Sequence, residues 1–308
     1  MDNYKQSSDE RKIIIERLLV DAVDLHCHSG PSVMPRSIDH IEVAKEASDV
    51  GMKALLFKDH YYSATPVTEL LMKHYAHFKV KLLSGVPLNN TTGGINRYSV
   101  DHGIKLGAKL VWMPTFSAEN HINAHNKDKD FKNKFPTTKE KMLAPTPLRV
   151  TDGNGVLIDE VKFILDLIAE KELVLSSGHL HISEIWTLFD EALARGVKRL
   201  LCNHPTYIVG ADLDDIKELV AKGVYIEHSM CMFVQRSKYK FYEPKELDDM
   251  IKAAGIDKTI LGSDLGQVGN PSPVNGFRAV INMCLDLGYD EQEIHKLVSK
   301  NASDLMGI

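Results

Sequence analysis

Short apolar runs alternate with amphipathic helical patterns along most of the chain, and this pair of segments repeats eight times. The runs are rich in Val, Ile and Leu, and each is followed by apolar residues at i, i+3 and i+4, as in Ile182, Ile185, Phe189 and Ala192. Eight βα units predict a (β/α)8 TIM barrel rather than a doubly wound open sheet. The predicted strands are 22–29, 54–60, 81–89, 109–115, 173–179, 199–204, 224–229 and 259–264.

Two segments lie outside this repeat. Residues 9–20 form a predicted helix that we expect to plug the bottom of the barrel. Residues 116–156 form a long connection after the fourth strand, and a connection of this length is typical of a lid or binding loop. His121 and His125 come soon after the strand end, so we expect that one of them reaches the pocket. The whole chain, residues 1–308, is predicted to be one barrel domain with this lid insertion.

Composition narrows the classes of partner. The chain has 308 residues and a formal charge of -5, with a pI near 6.3, which gives no basic footprint for nucleic acid or an anionic membrane. No apolar stretch approaches the roughly 20 residues that span a bilayer, and the first ten residues do not resemble a signal peptide. We therefore expect a cytoplasmic protein that acts on a small-molecule substrate. The sequence leaves open whether the chain forms a homo-oligomer.

Metal-ligating residue types stand at the ends of several predicted strands. His26 and His28 alternate with Cys27 in an extended run and therefore point to the same face. Further apolar runs end at His60, at His179 with His181, at His204 and at Asp264. Because the carboxyl ends of all barrel strands converge on one mouth, these side chains are predicted to share a pocket that suits a bound metal. The four cysteines have no paired spacing, and we interpret them as reduced packing residues.

These motifs resemble the metal-dependent amidohydrolase superfamily. The resemblance rests on Asp24-x-His26-x-His28 after the first strand, a His after the fifth and sixth strands, and Gly-Ser-Asp264 after the eighth. The ending Asn301-Ala302-Ser303-Asp304-Leu305-Met306-Gly307 is similar to the Asn-Pro-Ala-x-x-Leu-Gly ending common in that superfamily.

The resemblance implies the ligands of one divalent metal. His26, His28 and His179 would supply nitrogens and Asp264 a carboxylate oxygen to Zn²⁺, the commonest occupant, or to Mn²⁺ or Fe²⁺. His204 is either a ligand of a second metal or a base or oxyanion stabiliser, and His181 competes with His179. Many two-metal members carry a Lys or Glu at the end of the fourth strand. The predicted fourth strand here ends Leu-Val-Trp-Met-Pro-Thr, which favours one metal.

The implied activity is hydrolysis of a small-molecule amide, cyclic imide or lactone by a metal-activated water, with Asp264 taking the proton and His204 stabilising the oxyanion. Decarboxylation or deamination on the same scaffold is an alternative. Lys58, His60, Arg97 and Gln267 are the predicted substrate-binding residues. Lys58 has two further interpretations, as a carbamylated bridge between metals or as a salt-bridged lysine at the rim.

Two other functions remain open. Asp59-His60, together with the first motif, resembles the polymerase and histidinol phosphatase family, which would imply phosphate ester hydrolysis by two or three metals. A non-catalytic metal-binding or ligand-binding barrel is the third hypothesis. Glu227 and His228 close the seventh strand, one facing the mouth and the other the outer helices, and the sequence does not decide which.

Overall fold

Eight parallel strands pair in chain order, each with the next, and form the wall of a barrel in the computed structural model, which describes residues 8–127, 138 and 140–308. β8 approaches β1 through a parallel bridge between Leu265 and Cys27, and the Asp264 amide donates to the His26 carbonyl at 2.8 Å. The predicted (β/α)8 barrel is confirmed. The strands are β1 (Val23–Cys27), β2 (Ala54–Phe57), β3 (Lys81–Pro87), β4 (Leu110–Trp112), β5 (Val174–Ser176), β6 (Arg199–Asn203), β7 (Tyr225–Ser229) and β8 (Thr259–Gly262).

Helices connect the strands and cover the outside of the barrel. In α7 the predicted period is observed, since Ile182, Ile185, Phe189 and Ala192 are all buried. No helix within the described part of the chain is both long enough and apolar enough to cross a membrane. The described α-helices are α1 (Ser8–Leu19), α2 (His40–Asp49), α3 (Thr65–His74), α4 (Arg97–Lys105), α5 (Glu119–Lys127), α6 (Asp159–Glu170), α7 (Ile182–Ala194), α8 (Leu213–Ala221), α9 (Pro244–Ala254), α10 (Pro273–Asp286), α11 (Glu291–His295) and α12 (Asn301–Met306), with a π-helical turn over Lys296–Lys300.

Alternation along the strands divides the apolar residues between two layers. In β2, for example, Ala54 and Leu56 belong to the barrel interior, whereas Leu55 and Phe57 pack against the helices. Trp112 of β4 is 1% exposed and is the largest side chain in the interior cluster. Its ring lies 5.6 Å from Lys58 Nζ, so it forms a floor under the pocket at the mouth.

The prediction that residues 9–20 plug the bottom of the barrel is wrong. These residues are helical, but α1 lies on the outside, where Arg11 bonds Asn282 at 2.7 Å and Glu16 pairs with Arg278 at 2.6 Å. The interior cluster instead receives side chains from α12, namely Ala302, Leu305 and Met306. The physical reason is that α1 is polar around most of its surface and buries only Leu18 and Leu19.

The connection 116–156 is only partly within the described residues, because 128–137 and 139 lie outside them. It includes α5, and its later part pairs with the residues just before α5 through a parallel bridge between Ala118 and Leu148. Arg149 forms an ion pair with Glu119 of α5. The described part therefore packs beside the mouth, and its role as a lid stays a prediction.

We predict that Gly85→Ala destabilises the barrel by about 1–3 kcal/mol, the usual cost of overpacking a core. A Cβ at Gly85 of β3 would overlap the Leu110 carbonyl oxygen and lie 2.7 Å from Trp112 Cζ3. The matched control is Gly153→Ala, since a Cβ at Gly153 has no neighbour within 4 Å among the described residues. Urea unfolding checks both variants, and equal free energies of unfolding would contradict the prediction.

Candidate metal centre

Five imidazole rings form a closed circle at the carboxyl ends of the strands. They come from the ends of β1, β2, β5 and β6, and every ring is buried, with an exposed fraction of 6% or less. Neighbouring ring centroids around the circle are 5.0 to 5.7 Å apart. The barrel thus brings together the predicted histidines from four strand ends. In order around the circle they are His26, His28, His60, His179 and His204.

Three of the predicted ligands meet at one edge of this circle. Donor atoms of His26, His28 and Asp264 all lie within 4.8 Å of one another. Asp264 Oδ1 is 3.1 Å from His28 Nε2 and 3.5 Å from His26 Nε2, and Asp264 Oδ2 is 3.8 Å from His204 Nδ1. Two nitrogens and one carboxylate oxygen at this spacing form a donor set that Zn²⁺, Mn²⁺ or Fe²⁺ accepts.

Hydrogen bonds behind the rings fix how the ligand nitrogens are directed. His26 Nδ1 is 2.5 Å from Glu227 Oε1, which also accepts from Asn203 Nδ2 at 2.9 Å. His28 Nδ1 donates to the Lys58 carbonyl oxygen at 2.8 Å. With both Nδ1 atoms engaged as donors, the Nε2 atoms of His26 and His28 present lone pairs to a cation, which is the usual second-sphere arrangement of a metal-binding histidine.

The geometry also decides which residue of the seventh strand faces the mouth. Glu227 does so, because its carboxylate contacts His26, and burial raises the pKa of Glu227. His228 alternates to the outer side and has no hydrogen-bond partner for Nε2 among the described residues. Glu227 is therefore the member of the pair placed to orient a ligand.

Burial keeps the imidazoles of the circle in the neutral form that can bind a metal. It lowers the pKa of His26 and of His204 to about 3, and that of His28 to about 4. Burial also holds the pKa of His60 and of His179 well below the usual value.

Asp264 is the negative group of the site. Burial by itself would raise the pKa of its carboxyl, but the contacts with His26 and His28 outweigh burial and hold that pKa well below its usual range. The carboxylate is therefore ionised beside neutral imidazoles. A buried anion among neutral nitrogen donors favours a cation as the missing partner.

Lys58 is buried inside the site rather than exposed at the rim. Lys58 is 1% exposed, and its Nζ atom is 2.8 Å from His26 Nε2. Burial lowers the pKa of Lys58 to about 8. Lys58 thus contacts the same nitrogen that a metal would use, which contradicts the interpretation of Lys58 as a salt-bridged rim lysine.

Two site residues have strained backbone conformations. His204 and Asp264 both have φ near 49°, in the left-handed region that non-glycine residues seldom adopt. Such conformations cost roughly 1–3 kcal/mol each and persist where surrounding contacts enforce them. At Asp264 the enforcing contact is the hydrogen bond from its amide to the His26 carbonyl, which connects the end of β8 to the end of β1.

His179, not His181, faces the site. His179 lies in the circle, and its buried Nε2 has no hydrogen-bond partner among the described residues. His181 is the N-cap of α7 and accepts from the Ser183 amide at 3.2 Å. His121 of α5 reaches the pocket as expected, with its Nδ1 2.9 Å from His179 Nδ1.

A pocket opens above the circle and encloses about 560 Å³, part of it open to solvent. Of the predicted substrate-binding residues, His60 and Gln267 line it. Arg97 does not: it lies on α4, donates to Glu160 at 2.7 Å and stacks on Phe163 at 3.9 Å. The lining residues are His28, Met34, Arg36, His60, Phe116, His121, His179, His204, Tyr207, Ile208, Cys231, Met232, Tyr239, Phe241, Asp264 and Gln267.

Arg36 is the charged lining residue that the sequence interpretation missed. It stands in the loop between β1 and α2, and a charged residue in a loop leaving the active-site face was the available signal. The apolar side of the pocket, which includes Phe116 and Phe241, was also missed. Those residues come from segments without a periodic pattern, so their direction could not be predicted from the sequence.

Residues 21–227 match the model of a family described as "Family of unknown function (DUF6282)". The chain belongs to this family. A comparison of the DUF6282 chain with curated proteins finds no significant match.

Solved structures similar to the DUF6282 chain share its barrel. The probable dipeptidase PvdM from Pseudomonas aeruginosa is 10% identical, with 98% of each chain covered and a TM-score of 0.66. A probable 2-pyrone-4,6-dicarboxylic acid hydrolase from Acinetobacter baumannii with citric acid bound is 12% identical, with 94% and 100% covered and a TM-score of 0.58. The 2,6-dihydroxybenzoate decarboxylase from Rhizobium is 10% identical, with 93% and 98% covered and a TM-score of 0.55. These likenesses confirm the fold implied by the resemblance to the amidohydrolase superfamily.

We predict that the metal-free protein loses stability as the pH falls from 7 to 5. In the unfolded chain histidines bind protons near pH 6.5, whereas burial keeps His26, His28 and His204 neutral to about pH 4 or below. The unfolded state therefore binds more protons, and the free energy of unfolding falls by up to about 1.4 kcal/mol per pH unit for each such histidine. Asp24, whose pKa burial raises to about 6, offsets part of this loss. Calorimetry on chelator-treated protein checks it, and a melting temperature that is constant or rises toward pH 5 would contradict it.

The two histidines after β5 give a matched pair of variants. We predict that His179→Ala weakens zinc binding by at least about tenfold, since even a residue that only orients a ligand is worth about that much. His181→Ala should keep the wild-type zinc affinity and lose up to about 1 kcal/mol of stability with its cap. Competition titration with a zinc indicator measures both affinities, and equal losses of zinc affinity in the two variants would contradict the assignment of His179 to the metal site.

Proposed function

We propose that this DUF6282 chain is a metal-dependent hydrolase that acts on a small-molecule amide, cyclic imide or lactone. The observation that carries the proposal is the buried cluster of His26, His28 and Asp264 beneath a pocket at the carboxyl ends of the strands. Ligands and pocket share the face where barrel enzymes have their active sites. The related fold of a probable dipeptidase and a probable pyrone dicarboxylic acid hydrolase adds support from analogy alone.

The residues present fit a divalent cation. His26 and His28 have Nε2 atoms directed at Asp264, and the buried Nε2 of His179 has no hydrogen-bond partner among the described residues. Zn²⁺ is the occupant we propose, held by His26, His28 and Asp264, whose donor atoms lie within 4.8 Å of one another, with His179 as the further ligand that the resemblance implies. When bound, the cation would lower the pKa of a water molecule and polarise a carbonyl group.

The chain's own residues supply the proton transfer. Asp264 is ionised and faces the pocket, so Oδ2 is placed to accept a proton from water and pass it to the leaving atom. His204 lines the same pocket 3.8 Å from that oxygen, and its ring is neutral. As the rings of the circle are buried and neutral, His204 is suited to donate a hydrogen bond to an oxyanion.

Glu227 and Lys58 would act on the ligands rather than on the substrate. Glu227 holds His26 in one ring orientation through the 2.5 Å contact at Nδ1. Lys58 Nζ contacts His26 Nε2, so a cation at that nitrogen requires the ammonium to turn away. Once displaced, Lys58 would lie beside the pocket floor formed by Trp112.

We predict that Asp264→Asn lowers turnover by about 10²–10⁴-fold, the usual contribution of a positioned proton acceptor. The test offers the zinc-loaded protein dipeptides, N-acyl amino acids, cyclic imides and lactones, and follows the gain of one water in the product by mass spectrometry. The control is Asp257→Asn, which removes an exposed carboxylate that pairs with Lys296 at 2.7 Å.

Two outcomes would overturn the proposal. If Asp264→Asn turns over at the wild-type rate, the proposed proton transfer is wrong. If carbon dioxide is released without incorporation of water, the chain is a decarboxylase, as the Rhizobium structure of the same fold is.

A further inference from the structure

Arg36 places a guanidinium in the wall of the pocket, and the surrounding structure holds it there. Its backbone forms a bridge with Gln267 of the loop after β8, and the next amide, of Ser37, donates to Gly266 at 2.9 Å. Its side chain is 4% exposed. A guanidinium carries a delocalised positive charge, so Arg36 brings a permanent cation to this position.

The guanidinium is short of acceptors. Nη2 donates to Asp59 Oδ2 at 3.2 Å, and Nε is buried with no hydrogen-bond partner among the described residues. A guanidinium has five N–H donors, and a buried donor without an acceptor is costly. Arg36 is one of the residues that line the pocket where a substrate would bind. A planar acceptor entering the pocket would therefore be bound by donors that are already in place.

The charges around Arg36 disfavour a doubly charged anion. Asp59 is 1% exposed at its side chain and balances part of the guanidinium charge. Lys58 adds a second positive group, and Asp264 a second negative one, within the site. This nearly balanced set suits a carboxylate better than a phosphate dianion.

Much of the remaining pocket lining is apolar or aromatic. Phe116, Met232 and Phe241 belong to it, together with the rings of Tyr207 and Tyr239. Such a surface stabilises a ring or short alkyl group by burial. The pocket thus offers one planar charged contact and one apolar wall.

We propose that Arg36 forms a carboxylate subsite, and that the substrate is a small carboxylic acid with an apolar body whose carboxylate binds Arg36. This inference rests on the proposed function, because it names the substrate class of the same pocket. It assigns substrate binding to Arg36, whereas the sequence analysis predicted Arg97 as a substrate-binding residue.

The test compares benzoate with benzamide, which have the same shape and differ in charge. Titrations followed by ligand-observed NMR use the folded full chain, first treated with a chelator so that benzoate has no metal to bind. We expect wild-type protein to prefer benzoate by about tenfold, as for a charge-assisted hydrogen bond, and Arg36→Gln to bind the two within about twofold. Arg195→Gln is the control, because Arg195 pairs with Asp166 and Glu191 away from the pocket.

A substitution at Asp59 should change benzoate binding in the opposite direction. Asp59→Asn keeps an acceptor for the Tyr61 amide and removes the charge that balances Arg36, so benzoate should bind more tightly than to wild type. If Arg36→Gln does not fold with Asp59 unpaired, the double variant Arg36→Gln/Asp59→Asn replaces it and should show no preference for benzoate. Circular dichroism establishes the fold of each variant.

Any of four results would overturn the subsite. The first is equal binding of benzoate and benzamide to wild type, and the second is a preference for benzoate that survives in Arg36→Gln or in the double variant. The third is loss of that preference in Arg97→Gln instead. The fourth is tighter binding of inorganic phosphate than of benzoate to wild type. Because the measurement uses metal-free protein, it stands even if zinc binding or hydrolysis fails. Failure of the proposed function would appear only in the zinc and turnover assays.

Discussion

The burial of a polar circle at the mouth of the barrel is the constraint on which the rest of the site depends. Five imidazoles, an ionised carboxylate and an ammonium group share a space with little access to water. Removing such groups from water costs several kcal/mol unless each finds a partner, and His179 Nε2 finds none among the described residues. A divalent cation would offset this cost, because it supplies the positive centre that neutral nitrogens and Asp264 surround. Burial also lowers the pKa of the imidazoles, so the same constraint keeps them in the neutral form that can bind a metal.

The strands give this circle its rigidity. Glu227 contacts the ring of His26 and accepts a hydrogen bond from Asn203. Asn203 accepts a hydrogen bond from Ser176. One network therefore joins β1, β7, β6 and β5. Sites built on regular elements and supported by such hydrogen bonds are more precise than sites on loops. The substrate contacts that we propose come instead from loops, since Arg36 and Gln267 follow β1 and β8. The proposal therefore places chemistry and selectivity on different parts of the chain.

Strand ends were predictable from the sequence, and loops were not. His26, His28, His179, His204 and Asp264 all close apolar runs, and the barrel forces such positions to converge. The direction of Lys58 depends on a long flexible side chain, so its contact with His26 needed the structure. Arg97 and Arg36 are equally visible as charges, but α4 directs Arg97 to Glu160 whereas the loop after β1 turns Arg36 inward. Which helix closes the bottom depends on long-range packing of α12, which local periodicity does not report.

The most direct test of the metal centre is the metal content per chain, measured by elemental mass spectrometry on protein purified without a His tag or chelator. The account predicts about one divalent ion per wild-type chain and none in His26→Ala/His28→Ala. The control His74→Ala/His77→Ala removes two exposed histidines and should keep the wild-type content. A wild-type protein that holds no divalent ion, even after reconstitution with zinc, manganese or iron, would contradict the account.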